Sequence, residues 1–102
     1  MSAELYIEFE NTNWLNDNKK LLEDYFSKMK IYVEIMENEY RLKQRDNPYY
    51  DVRFMIINDS TILFEIAYLP KIIEEEIVTL LAWIREKTQI TIKDEDGIVS
   101  NW

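Results

Sequence analysis

The chain has 102 residues, a formal net charge of −8 at pH 7, no histidine, no cysteine and a single glycine. General acid–base catalysis, thiol chemistry and glycine-rich phosphate loops commonly use residue types that are absent or scarce here, so we expect a protein that is not an enzyme and needs no cofactor or metal. The acidic charge repels nucleic acid and anionic lipid, and it favours a cationic protein partner.

Length and apolar content predict one domain over residues 1–102, because 47% hydrophobic residues are enough for one continuous core. Without cysteine, that core must stabilise the fold without disulfides. No apolar stretch approaches the roughly 20 residues that a membrane span needs. The start, Met1-Ser2-Ala3-Glu4, has neither a basic region nor a hydrophobic run, so we expect a cytoplasmic protein that contacts no membrane.

The first third of the chain predicts a strand followed by a helix. Residues 5–9 alternate apolar and polar side chains, which is typical of a half-buried strand. From about Asn16, a capping residue, apolar positions recur at helical spacing and predict a helix to about Lys30. Trp14 precedes this helix, and we expect it to fix the start of the helix against the loop before it.

The next stretch is ambiguous between a strand and a continued helix. Alternation and β-branched residues favour a strand over 31–36. Val33, Met36 and Tyr40 also continue the helical phase of Met29, but a helix running on to Arg45 is long for so small a domain. A turn is expected at Asp46-Asn47-Pro48, because proline disfavours helix in its predecessor and donates no backbone hydrogen bond.

Residues 50–57 and 61–68 predict an antiparallel hairpin. Both stretches are rich in β-branched and aromatic residues, and Asn58-Asp59-Ser60 between them has the composition of a turn. Apolar residues on both faces of the two strands place this hairpin near the centre of a sheet.

The last third predicts a helix over 70–87 and a strand over 89–93. Pro70 suits the first turn of that helix, and its apolar residues form one stripe. Trp83 flanks the stripe, so we expect it to pack against the first helix, the alternative being an exposed anchor for a partner. Residues 98–102 either return as a short edge strand or trail off.

These elements predict an α+β fold, with a mainly antiparallel sheet of four to six strands and two helices packed on one face. If residues 31–45 are helix or loop, the order becomes βαββαβ, which is ferredoxin-like. The side chains that we expect to be buried lie on the hairpin and on the stripe of the second helix; they are Phe54, Ile56, Leu63, Phe64, Ile73, Ile77, Leu80 and Ile84.

Two acidic segments and one terminal aromatic residue are the candidate partner-binding sites. Tyrosine beside carboxylate suits an Arg- or Lys-rich surface, although an ordinary strand start explains Tyr49-Tyr50-Asp51 equally well. Asp94-Glu95-Asp96-Gly97 lacks the glutamate that would complete a calcium loop. Trp102 either folds back onto the protein or is offered to a partner. The predicted binding residues are Tyr49, Tyr50, Asp51, Asp94, Glu95, Asp96 and Trp102.

In overall character the chain resembles the immunity proteins of bacterial polymorphic-toxin and contact-dependent growth-inhibition systems. The shared features are the length, the lack of cysteine, the richness in acid and tyrosine, and turns such as Asp46-Asn47-Pro48-Tyr49-Tyr50 and Asp94-Glu95-Asp96-Gly97. The resemblance implies a cytosolic inhibitor that binds one cognate toxin domain, often a nuclease. The alternative is a non-catalytic acidic adaptor or assembly subunit that binds another protein or self-associates through a strand edge.

Overall fold

The computed structural model describes residues 3–44 and 48–102. Asp46 and Asn47 of the predicted turn lie outside this range. The described residues form six strands and three helices in the chain order β1 Ala3–Phe9, α1 Trp14–Asp17, α2 Lys19–Ser27, β2 Tyr32–Met36, β3 Glu39–Lys43, β4 Val52–Asn58, β5 Thr61–Ile66, α3 Lys71–Lys87 and β6 Ile90–Asp94.

The six strands form one sheet in the order β2-β3-β4-β5-β1-β6, and each neighbouring pair is antiparallel. The structure therefore confirms the α+β class and the antiparallel sheet, and it places the β4–β5 hairpin at the centre as predicted. Residues 31–45 supply β2 and β3, so the condition for the shorter βαββαβ order is not met. Asn38 has a φ of 62° in the connecting turn, a conformation that asparagine tolerates better than most residues.

The first helix differs from its prediction, because it is two helices and not one. The Asn18 side chain donates a hydrogen bond from Nδ2 to the Trp14 carbonyl at 2.8 Å and separates α1 from α2. Asparagine side chains compete in this way with the helical backbone, so the periodic apolar pattern alone did not show the break. The helical segment also begins at Trp14, which is buried and stacks on Phe9 with ring centroids 5.5 Å apart.

One face of the sheet packs against the helices and forms the core. Phe54, Phe64 and Leu5 are neighbours across three strands on this face, and the apolar stripe of α3 is buried against it. Of the residues expected to be buried, all but the half-buried Ile56 are so. Leu63 is buried on the opposite side of the sheet, which we call the open face.

A continuous series of aromatic rings crosses the core. The ring centroids of Tyr40 and Phe26 are 4.3 Å apart, and Phe26 lies 5.4 Å from Phe54. Phe54 stacks on Phe64 at 4.8 Å, and Phe64 meets Trp102 edge to face at 5.3 Å. Trp102 therefore folds back onto the protein, and the series links α2 to the last residue of the chain.

The two edges of the sheet differ. Residues 98–100 run back along β6, since the Asp94 N–H donates to the Ile98 carbonyl at 2.9 Å and the Ser100 N–H to the Ile92 carbonyl at 2.8 Å. This is the short edge return that was one of the two expectations for the end of the chain. β2 forms the other edge.

Within residues 3–44 and 48–102, the helices are too short or too polar for any of them to cross a membrane.

Candidate functional site

The predicted binding residues fall into two separate regions of the surface. Tyr49, Tyr50 and Asp51 precede β4, whereas Asp94–Asp96 follow the body of β6. In the sheet order β4-β5-β1-β6 these strands are three positions apart, which is roughly 14 Å at the usual strand spacing. The structure therefore does not bring the two acidic segments together.

Asp51 has a structural role. It is fully buried, and its Oδ2 accepts the Gln44 N–H at 2.9 Å. Its carbonyl accepts the N–H groups of Ala67 and Tyr68 at 2.9 and 3.0 Å, so it connects the ends of neighbouring strands. A carboxylate in this position does not reach a partner, and we withdraw Asp51 from the binding residues.

Tyr50 lies on the open face, while Tyr49 is 69% exposed. The Tyr50 ring lies beneath two guanidinium groups, 5.7 Å from Cζ of Arg41 and 5.1 Å from Cζ of Arg53. The Tyr50 hydroxyl donates to Glu65. A tyrosine that contacts two arginines and a carboxylate of its own chain is held in one orientation.

Ion pairs complete this cluster on the open face. Arg53 Nη2 lies 2.9 Å from Glu65 Oε1, and Arg41 Nε donates to Glu39 Oε2 at 2.5 Å, which raises the pKa of Arg41. The two arginines are directly opposite each other across β3 and β4, an arrangement that is repulsive without nearby acids. The chain thus pairs both arginines with its own carboxylates, although Arg53 Nε is buried without a hydrogen-bond acceptor among the described residues.

High pH is expected to destabilise the protein through three tyrosines. Burial raises the pKa of Tyr25, Tyr40 and Tyr50 above the ordinary value of 10.0, and for Tyr50 the bond to Glu65 raises it further. A raised pKa in the folded state stabilises the protein below pH 10, and this stabilisation is lost as the pH rises through the folded pKa. Urea unfolding should therefore give a free energy that falls above about pH 10, with a shallower fall for Tyr50→Phe. Equal slopes for the two proteins would contradict a contribution from the Tyr50 hydroxyl.

The second region begins with a turn over residues 94–97, which we call the acidic turn. Asp94 Oδ1 accepts the N–H groups of Asp96 at 2.9 Å and Ile98 at 3.0 Å, and Gly97 has a φ of 80° that favours glycine. Asp94 therefore shapes the turn, while Glu95 and Asp96 are exposed. Among the described residues, no three carboxylates are placed to hold a metal ion.

Trp102 lines a surface cavity of about 360 Å³ together with Glu74, Val78 and Asn101. We call it the tryptophan pocket. Glu74 and Val78 are exposed and one turn apart on α3, and the indole is oriented by its contact with Phe64. Sequence reasoning did not find Glu74 as a site residue. The available signal was that an acid and an exposed valine lie four residues apart, away from the core stripe.

Trp83 does not belong to either region. Its ring lies 4.5 Å from that of Tyr25 on α2, so the predicted packing of Trp83 against the first helical segment is confirmed. Lys87 Nζ lies 5.1 Å from the centre of the same indole. Trp83 is thus covered by residues of its own chain on two sides.

No protein-family model matches this chain, and the searches of curated proteins and of solved structures found no match either. No relative therefore supplies a partner or a site residue. What the chain binds has to be inferred from the acidic turn, the tryptophan pocket and the open face.

Proposed function

We propose that this chain is a cytoplasmic immunity protein that binds and neutralises one cognate cationic toxin domain. The observation that supports this best is the composition of the surface from the acidic turn to the tryptophan pocket. The exposed carboxylates of Glu95 and Asp96 are followed by Ile98 and Val99, which are 63% and 65% exposed. Carboxylates beside exposed apolar side chains are typical of a surface that binds a basic protein.

A nuclease domain is the class of toxin that fits this surface best. A nuclease is cationic where it meets phosphate, so an acidic protein approaches it by electrostatic attraction and can block substrate at the same surface. The net charge of −8 adds long-range attraction, and the partly exposed Trp102 offers an aromatic anchor of the kind that dominates binding energy.

The second candidate function is that of an assembly subunit, and the free edge of β2 favours it. Two side chains of β2 are exposed, Tyr32 at 63% and Ile35 at 36%, and an edge strand presents backbone groups that another strand can bind. Light scattering on the purified protein separates the two candidates. A monomer at high concentration excludes self-association, whereas a stable dimer or polymer favours the assembly role.

Co-expression tests the immunity function directly. The C-terminal domain of a large protein encoded beside this gene should be toxic when expressed alone, and it should be harmless when this chain is expressed with it. A nuclease assay with the two purified proteins should show inhibition at a ratio close to one to one. Toxicity that persists despite expression of this chain would exclude the proposal.

Charge reversal in the acidic turn should slow the association of the two proteins. For Glu95→Lys/Asp96→Lys we expect the association rate constant to fall about tenfold at low salt, with a flatter dependence on ionic strength and a smaller change in dissociation. Asp94 stays unchanged because its carboxylate holds the turn. Stopped-flow measurements at several salt concentrations provide the rates.

The matched control is Glu10→Lys/Asp17→Lys, which changes the net charge equally. Both residues are exposed and follow the end of β1 that is distant from the acidic turn. If the two double variants associate at the same rate, net charge and not the acidic turn directs the encounter. Binding that is insensitive to salt in both would rule out electrostatic capture.

A further inference from the structure

We infer that the tryptophan pocket binds an arginine side chain presented by the partner protein; this inference rests on the proposed function. The pocket combines the three groups that recognise a guanidinium. Glu74 supplies a carboxylate, Trp102 an aromatic ring, and Asn101 a side-chain amide. A guanidinium can pair with a carboxylate while it stacks on an indole.

Trp102 is held in place before any partner arrives, and the position of Glu74 favours its negative charge. Trp102 is fixed by its edge-to-face contact with Phe64, at the end of the aromatic series through the core. Its backbone N–H also donates to Ser100 Oγ at 3.1 Å. Glu74 lies in the first turn of α3, where the helix dipole favours a negative charge. An indole held in this way loses little entropy when the pocket binds.

Two other partly exposed rings, Tyr50 and Trp83, already lie against cations of the same chain. The Tyr50 ring has Arg41 and Arg53, and the Trp83 ring has Lys87. Trp102 differs from these two rings, because the charged residue in its pocket is the carboxylate of Glu74 and not a cation. Among residues 3–44 and 48–102, no lysine or arginine lies over Trp102 and Glu74 forms no ion pair, so a cation from another molecule completes the arrangement.

Arginine fits the pocket better than lysine does. The planar guanidinium stacks on an indole and pairs with a carboxylate through two parallel hydrogen bonds, whereas the ammonium of lysine is compact and strongly hydrated. Val78 adds an apolar surface on which the methylene groups of the arginine can lie. The exposed carboxylates of the acidic turn attract the same cationic partner.

The test uses N-acetyl-arginine amide as a probe and the indole N–H of Trp102 as the signal. This signal is assigned in a ¹⁵N-correlation spectrum by its loss in Trp102→Phe. We expect a saturable shift with the arginine probe, a weaker one with the lysine analogue and none with the neutral citrulline analogue. In Glu74→Gln the affinity should fall about threefold to tenfold, which is the range for one exposed charge-assisted contact.

Glu75→Gln is the matched control, because it removes the same charge from the adjacent position of α3 without lining the pocket. An unchanged affinity in Glu75→Gln supports the inference. Equal responses to arginine and citrulline, or equal losses in the two glutamine variants, would overturn it.

The inference and the proposed function can fail separately. If arginine binds at Trp102 but no toxin is neutralised, the arginine-binding pocket is supported and the immunity function is excluded. The opposite result has two parts: wild type and Glu74→Gln neutralise the toxin equally, and the arginine probe leaves the indole signal unchanged. It would support the immunity function and exclude arginine binding in the pocket.

Discussion

Leu80→Ala is expected to lower the free energy of unfolding by about 2–5 kcal/mol. Leu80 lies on α3 and is 1% exposed, so truncation removes buried apolar contacts and leaves a cavity between the helix and the sheet. Close packing around the site limits the collapse that would refill this cavity. Urea unfolding of the variant and the wild type, followed by circular dichroism, gives the difference.

Ile72→Ala on the same helix is the control for this measurement. Ile72 is 44% exposed, so its truncation should cost less than about 1 kcal/mol. A loss below about 1 kcal/mol for Leu80→Ala as well would mean that this stripe of α3 is not the one that faces the sheet.

Asp51→Ala is expected to cost about 1–3 kcal/mol, because it leaves a partly buried donor without its acceptor. The donor is the Gln44 N–H, which bonds to the Asp51 carboxylate, and Asp51 is fully buried. Asp51→Asn keeps an oxygen of the same shape at this position, so it should lose less stability than the alanine variant. Thermal and urea unfolding of the three proteins test this order.

The same variant separates a structural role of Asp51 from a role in binding. We expect folded Asp51→Asn to associate with the cationic partner at the wild-type rate. Native stability together with lost partner binding would show that Asp51 is a contact residue, and that the surface before β4 takes part in recognition.

The central hairpin and α3 could be predicted because local and long-range preferences agree there. Two β-branched stretches joined by Asn58-Asp59-Ser60 favour a hairpin whatever packs against it. The α3 stripe has a single helical phase and begins after Pro70. At such positions the periodicity of apolar residues is enough to identify the buried face.

Other features depend on contacts that no local pattern encodes. The break at Asn18 coincides with a side-chain hydrogen bond to the Trp14 carbonyl and a non-helical backbone at Asn18. The buried position of Asp51 depends on strands from different parts of the chain. The local sequence, a carboxylate after two tyrosines, is equally consistent with an exposed surface. The tryptophan pocket is formed by Glu74 and Trp102, which are distant in sequence, so it could be identified only from the tertiary structure.

The aromatic series through the core has a consequence for spectroscopy. Trp14 is buried on Phe9, Trp83 lies between Tyr25 and Lys87, and Trp102 combines partial exposure with a contact to Phe64. The three indoles therefore emit from three different environments. Because the Trp102 ring lines the solvent-facing pocket and also contacts the buried Phe64, its fluorescence reports on binding at the surface and on the integrity of the core.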